Sequence, residues 1–279
     1  MIAGGIGCPV PPALVDWGAS VKLELSEQAF HQAWKHFGLG TKPLVLNVLP
    51  EGVLQGERRA AEQRAWEELR RAGFGDEVRE DDVHGVLLPL HRYEQAFDLT
   101  FRESAPSGEQ RAMTGLVAVA RTRATLAVRA DGGVRLAAVP ADSAVRALLG
   151  VLPEVRPGPG RGVSVRSAAV EHAASQAGSD DRAMTEGLTR MGVRREDARS
   201  LVAMAGGPRL AFAQVGAAVM DGGGKRQRAP MVTHCFANAR GWYLFENSTR
   251  SGEAWTTIAP IDKQRMAGRV QDLLKTLPR

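Results

Sequence analysis

Cysteine, long apolar runs and aromatic residues are all scarce in this chain, and each scarcity closes off a class of protein. Only Cys8 and Cys235 occur, far apart and in unlike settings, so the sequence supports neither a disulfide framework nor a cysteine zinc site. That usage suits a reducing compartment. No stretch approaches the roughly 18 consecutive apolar residues a membrane-spanning helix needs. Aromatics make up 5% of the 279 residues and nowhere interleave with Lys or Arg, which argues against a nucleic-acid groove despite a formal charge of +5. The N-terminal MIAGGIGCPVPP ends in Gly-Cys as a lipoprotein signal does, but it has no basic n-region and too short an apolar stretch; residues 1–20 read as a flexible leader.

Chemical signatures are equally thin. His31 and His36 would stand about 140° apart on a helix, a poor arrangement for one metal ion. His84 and His91 share a helix face, but Pro89 lies between them and no third ligand is evident. His234 and Cys235 are adjacent on a strand and so point to opposite faces, which makes Cys235 a buried apolar residue and not a nucleophile. Gly222–Gly224 precedes a basic turn and another strand where a phosphate loop would open a helix, and it reads as a hairpin tip. Asp81–Asp82 and Asp180–Asp181 read as helix starts, where carboxylates cap free amides. No Ser/His/Asp order and no carboxylate pair stands out. The expectation is a protein without catalytic residues, metal or cofactor.

What the chain does have is an order of elements that runs twice, offset by about 115 to 120 residues. Residues 21–152 read as helices, then a meander of short strands, then a helix; residues 163–279 read the same way, with the Pro/Gly-rich segment 153–162 between them. Strands joined by turns this short must pair antiparallel, because a parallel neighbour needs a long crossover. Ser26 is placed to cap a helix carrying Phe30, Trp34 and Phe37 at helical spacing. GERRAAEQRAWEELRRAGF is a second helix with Ala60, Trp66 and Leu69 toward the core and Gly73 as its stop, and PLVLNVLP reads as a brief strand. Ala96, Asp98, Thr100 and Arg102 alternate with Phe97, Leu99 and Phe101, the pattern of a strand with one wet face. Asp131-Gly132-Gly133 supplies a tight hairpin turn.

The second half carries Phe212-x-Gln214-Val215-Gly216-x-Ala218-Val219, then a D-G-G-G-K-R tip, Gly241-Trp242-Tyr243, Trp255-Thr256-Thr257-Ile258-Ala259-Pro260 and a closing amphipathic helix. The first half adds a Leu25–Gly40 helix of the form LS-x-x-x-F-x-x-x-W-x-x-x-G-L-G, the Glu57–Leu69 helix, and the GPGRGVSV stretch at Gly158–Val165. In these features the chain resembles the EspG family of ESX (type VII) secretion-associated proteins from actinobacteria. The resemblance implies an α+β fold with a quasi-two-fold internal repeat, a central, mostly antiparallel sheet and two flanking helical bundles. It also implies a cytosolic chaperone without enzymatic activity that binds the tip of a secreted helical-hairpin partner, PE/PPE-like or WXG-like. By the same resemblance the partner touches the sheet, the second helical bundle and the loop Ser104, Ala105, Pro106, Ser107, Gly108, Glu109, Gln110.

Within the second bundle, Met184, Leu188, Met191, Leu201, Val202 and Met204 are the candidate contacts, since methionine-bearing apolar surfaces adapt to helices. Neither nucleic acid nor membrane insertion belongs to this reading, whereas weak self-association is compatible with it. The alternatives are a small-molecule-binding or enzymatic α+β domain, marked by a deep pocket of perturbed ionisable groups, and a nucleic-acid module using Lys225, Arg226 and Arg228.

Overall fold

The computed structural model describes residues 22–48, 55–104, 110–178 and 180–277, so the leader and loop residues 105–109 lie outside it. The first half runs β1 (Lys22–Ser26), α1 (Glu27–His36), a 3-10 turn (Leu44–Leu46), α2 (Gln55–Arg71), α3 (Glu77–His91), β2 (Gln95–Ser104), β3 (Gln110–Ala120), β4 (Arg123–Ala130), β5 (Gly133–Pro140) and α4 (Ala144–Gly150). The second runs β6 (Val163–Arg166), α5 (Ser167–Ala177), α6 (Asp181–Arg190), α7 (Arg195–Ala205), β7 (Ala211–Met220), β8 (Arg226–Arg228), β9 (Thr233–Asn238), β10 (Gly241–Arg250), β11 (Glu253–Pro260) and α8 (Lys263–Leu274). No helix among the described residues is long and apolar enough to cross a membrane.

All the strands join one antiparallel sheet in the order β1-β5-β4-β3-β2-β7-β9-β10-β11-β6, with β8 pairing the end of β7. The two halves meet in the β2–β7 pair, where Gln95–Glu103 runs in register against Ala211–Val219. Outward from it lie β3, β4, β5 and β1 on one side and β9, β10, β11 and β6 on the other.

Three apolar clusters hold this sheet. On one face Phe97, Leu99, Phe101, Leu126, Val215 and Leu244 pack against Leu148 of α4 and Met266 and Val270 of α8. The opposite face is covered twice. Over the first half, Phe30, Trp34, Leu69 and Leu87 of α1–α3 lie on Leu116, Ala118, Ala127 and Leu136; over the second, Ala173, Leu188, Ala198, Leu201 and Met204 of α5–α7 lie on Val163, Val165, Phe236, Tyr243 and Ile258.

Several sequence-level expectations hold at atomic detail. Ser26 Oγ accepts from the Ala29 amide 3.1 Å away and caps α1, and Glu68 Oε2 accepts from the same hydroxyl at 2.7 Å, tying α2 to this helix start. Asp131 and Gly132 take positive φ in the β4–β5 turn. Asp180 caps α6 through the Arg182 and Ala183 amides.

Others need correction. Within PLVLNVLP, Leu44–Leu46 forms a 3-10 turn in place of a strand, with Leu46 N donating to Pro43 O and Asn47 N to Leu44 O, while residues 49–50 lie outside the described residues. So short an apolar run is ambiguous between periods. Asp81 and Asp82 sit inside α3, which begins earlier, at Glu77. The buried stripe of α2 is Ala61, Ala65 and Leu69, with Ala60 only partly covered. The face of β2 expected to be wet is covered over half its length: Ala96 and Asp98 are buried, Thr100 is partly so, and only Arg102 is exposed.

Segment 156–159 threads close over the start of β10. Trp242 N donates to Arg156 O and Gly158 N to Trp242 O, while the fully buried Tyr243 ring occupies the space where a Cβ on residue 158 would stand. Gly158→Ala is therefore expected to cost about 2 kcal/mol by overpacking. For a chain of this size the midpoint in a thermal unfolding scan should fall by roughly 5 °C.

Candidate functional site

Among the described residues the two helical bundles rest on separate apolar clusters of the sheet. Between them, among the described residues, no helix covers a strip of β2, β7 and β9, and the side chains of that strip follow from strand register. Arg102, Phe212, Phe236 and Tyr243 stand side by side across β2, β7, β9 and β10, and the next row on the same face is Thr100, Gln214, His234 and Phe245. Tyr243 and Phe236 slide under the second bundle; Phe212 stays 38% exposed and Leu210, just before β7, 39%. Large apolar side chains this open are few among the described residues, and two of them are neighbours here.

Arg209, Ala211, Phe212, His234, Cys235, Phe236 and Phe245 enclose a cavity of about 360 Å³ that opens to solvent. Its walls are almost wholly apolar, which suits an apolar anchor from a partner or ligand. The Arg209 guanidinium lies 3.6 Å from the centroid of the Phe236 ring, and its partial burial lowers its pKa. His234 tilts against Phe212 with ring centroids 5.8 Å apart, and burial likewise lowers its pKa and favours the neutral imidazole. The adjoining end of α7 is held in place by the β9–β10 turn. Asn238 Nδ2 donates to Met204 O and Gly206 O, both at 3.0 Å, and Arg240 Nη1 donates to Ala203 O at 3.0 Å. These bonds satisfy carbonyls that a helix end leaves open.

Ser104 and Gln110, the described ends of the candidate loop, pair across β2 and β3 beside this strip, with Ser104 N donating to Leu210 O at 2.8 Å. Ala105, Pro106, Ser107, Gly108 and Glu109 lie outside the described residues. Of the bundle candidates, Leu188, Leu201, Val202 and Met204 are 0 to 7% exposed and form the core of the second bundle; Met184 packs partly against that core and Met191 is 45% exposed. Sequence reasoning passed over Arg102, Leu210, Phe212, His234 and Phe245. The signal for Phe212 was present, because it shares parity with polar Gln214 while Ala211, Ala213 and Val215 fill the opposite face.

A model of the EspG family matches residues 26–272. This chain belongs to the EspG family. Its fold is also similar to that of EspG5, the type VII secretion system chaperone of Mycobacterium tuberculosis, solved in complex with the PE25–PPE41 dimer. The TM-score is 0.65 at 15% sequence identity, over 92% of this chain and 97% of the EspG5 chain. No curated protein matches the sequence.

Elsewhere in this EspG-family chain the titratable groups are engaged in structure. His36 Nε2 meets Glu80 at 2.6 Å, His31 Nδ1 meets Lys42 Nζ at 2.5 Å, and the His84 ring lies 4.8 Å from that of Phe37. Among the described residues no three His, Cys, Asp or Glu side chains gather as a metal site. At the glycine tip, Asp221 Oδ1 accepts from the Gly223 and Lys225 amides at 3.0 and 2.8 Å. Arg226 and Arg228 turn inward toward Asp98, leaving Lys225 as the outward-facing member of the basic trio that a nucleic-acid reading would use. Cys235 points to the α4–α8 side at 1% exposure, and burial pushes its thiol up to about 12. A thiolate is the reactive species, so Cys235 should resist iodoacetamide in the native protein and react once denatured. Mass mapping of the alkylated peptide checks this; native labelling at Cys235 would contradict the burial.

Proposed function

We propose that this EspG-family chain is a chaperone of a type VII secretion system that holds the tip of a secreted helical-hairpin protein, PE/PPE-like or WXG-like, in the strip between its two helical bundles. It does so in the cytosol and by binding alone, with no reaction assigned to it. The observation that carries this reading is the bare segment of β2, β7 and β9. Among the described residues, a sheet face covered by helices on both wings keeps an open slot there, floored by Phe212 and Phe245 and rimmed by Leu210. A helical tip laid in that slot would take the place a third set of helices would otherwise fill. The EspG5 chain, whose fold is similar, was captured with a PE25–PPE41 dimer.

An interface of this kind buries about 1,000 to 2,000 Å² in all, more than the strip alone offers. The loop 104–110, whose described ends lie beside the strip, and the exposed Met191 in the turn after α6 are the candidate extensions of it. Co-expression with the helical-hairpin secretion proteins encoded nearest its gene, followed by size-exclusion chromatography with light scattering, tests the reading. A stable complex is expected, and exchanging residues 104–110 for a Gly/Ser linker should weaken it. A folded chain that leaves every such protein unbound would overturn the proposal.

A further inference from the structure

We infer that the tip received by this groove is acidic as well as apolar: an aromatic or leucine anchor flanked by carboxylates, which Arg209 meets on one side and Arg102 on the other. The inference rests on the chaperone reading above and adds the chemistry of the partner. Cavity walls of Phe212, Phe236 and Phe245 account for the anchor. The flanks are cationic. Arg102 stands in register beside Phe212, and Arg209 lies over Phe236 at the other side of the pocket. Among the described residues no carboxylate lines the cavity and neither arginine pairs with one.

Docking makes that arrangement consequential. Arg209 is already partly desolvated over the Phe236 ring, and a partner lid would strip away more of its water. A guanidinium covered without an acceptor is costly, whereas a carboxylate meeting its free edge restores the lost hydrogen bonds in bidentate geometry and leaves the stacked face in place. Arg102 is exposed in the free protein and faces the same choice once covered. The formal charge of +5 also favours encounter with an acidic surface.

The test can be run without the natural partner in hand. An antiparallel helical-hairpin scaffold with randomised tip residues is displayed on yeast, sorted against the full chain, and counter-sorted against Phe212→Asp. Tips that bind in a Phe212-dependent manner should be enriched in Asp or Glu around an aromatic or leucine. Their affinity should fall with added salt and drop about tenfold or more against Arg102→Glu/Arg209→Glu, which should in turn select Lys- or Arg-bearing tips. Both arginines are on the surface, so the double variant should keep the parent's circular dichroism and melting temperature. Phe212-dependent tips without carboxylate enrichment, indifferent to charge reversal, would overturn the acidic-tip inference and leave the groove reading intact. If no Phe212-dependent tip emerges, the groove does not take hairpin tips and the inference falls with it.

Discussion

Asp98→Ala is expected to destabilise the fold by about 3 kcal/mol, seen as a matching fall in the free energy of urea unfolding followed by tryptophan fluorescence. Asp98 lies on β2, in the strand pair that joins the halves, and its carboxylate accepts two bonds from the Arg228 guanidinium, one of them 2.7 Å long. Arg226 stands 3.9 Å from the same carboxylate, and its Nε is buried with no hydrogen-bond partner among the described residues. Gly216, directly across from Asp98, has no side chain, and the Arg228 guanidinium fills the space a Cβ would take. Removing the carboxylate leaves two arginines facing one another with no counter-charge.

The figure sits at the low end of the range for breaking a buried pair because the Arg228 side chain is 40% exposed, against 6% for Asp98. Asp98→Leu combined with Arg228→Met should recover most of the loss, since apolar residues of similar volume often replace a buried ion pair at little cost. A loss below about 1 kcal/mol for Asp98→Ala would show that the pair contributes no more than an exposed salt bridge.

Phe212→Asp should abolish capture of the helical-hairpin partner, a loss of at least 2 kcal/mol or roughly thirtyfold in affinity, and leave the chain folded. The side chain is already 38% exposed in the free protein, so replacing it empties no core space. At the centre of a docked interface, however, a carboxylate in place of the ring removes the apolar contact beside Phe245 and Phe236 and draws on Arg102 and Arg209, the donors that the partner's own carboxylates would use. Two comparisons fix the interpretation. Leu88→Asp places the same charge on a 36% exposed leucine of α3, outside the groove, and should bind as the parent does. Leu188→Ala should do the opposite of Phe212→Asp, lowering stability by about 2 to 4 kcal/mol through a cavity in the second bundle while sparing intrinsic affinity. Isothermal titration with the co-expressed partner separates the three. Parent-like binding by Phe212→Asp would move the docking surface elsewhere.

That contrast between Phe212 and Leu188 shows how far a sequence can be read. An amphipathic helix such as α6 shows the same apolar stripe whether it rests on its own sheet or on another protein, so the stripe alone cannot name its occupant. Leu188, Leu201 and Met204 turn out to face Phe236, Tyr243 and Ile258 of this chain's sheet, whereas Met191, in the turn after α6, remains open. Period-two alternation has the same ambiguity. In β2 it separates two faces correctly, with Phe97, Leu99 and Phe101 packed against the α4–α8 side, but it does not say which polar residue meets water and which meets a partner 130 residues along the chain, as Asp98 does.

The sequence by itself determined the features governed by neighbours a few residues apart: the Ser26 cap, the glycine-terminated helices, the positive-φ turn at Asp131 and Gly132, and antiparallel pairing enforced by short connections. Only the tertiary structure decided the width of the gap between the two bundles, and with it the exposure of Leu210 and Phe212. That gap depends on where helices from both halves come to rest on a sheet joined through β2 and β7, a geometry set by many weak, long-range contacts and carried by no local pattern of residues.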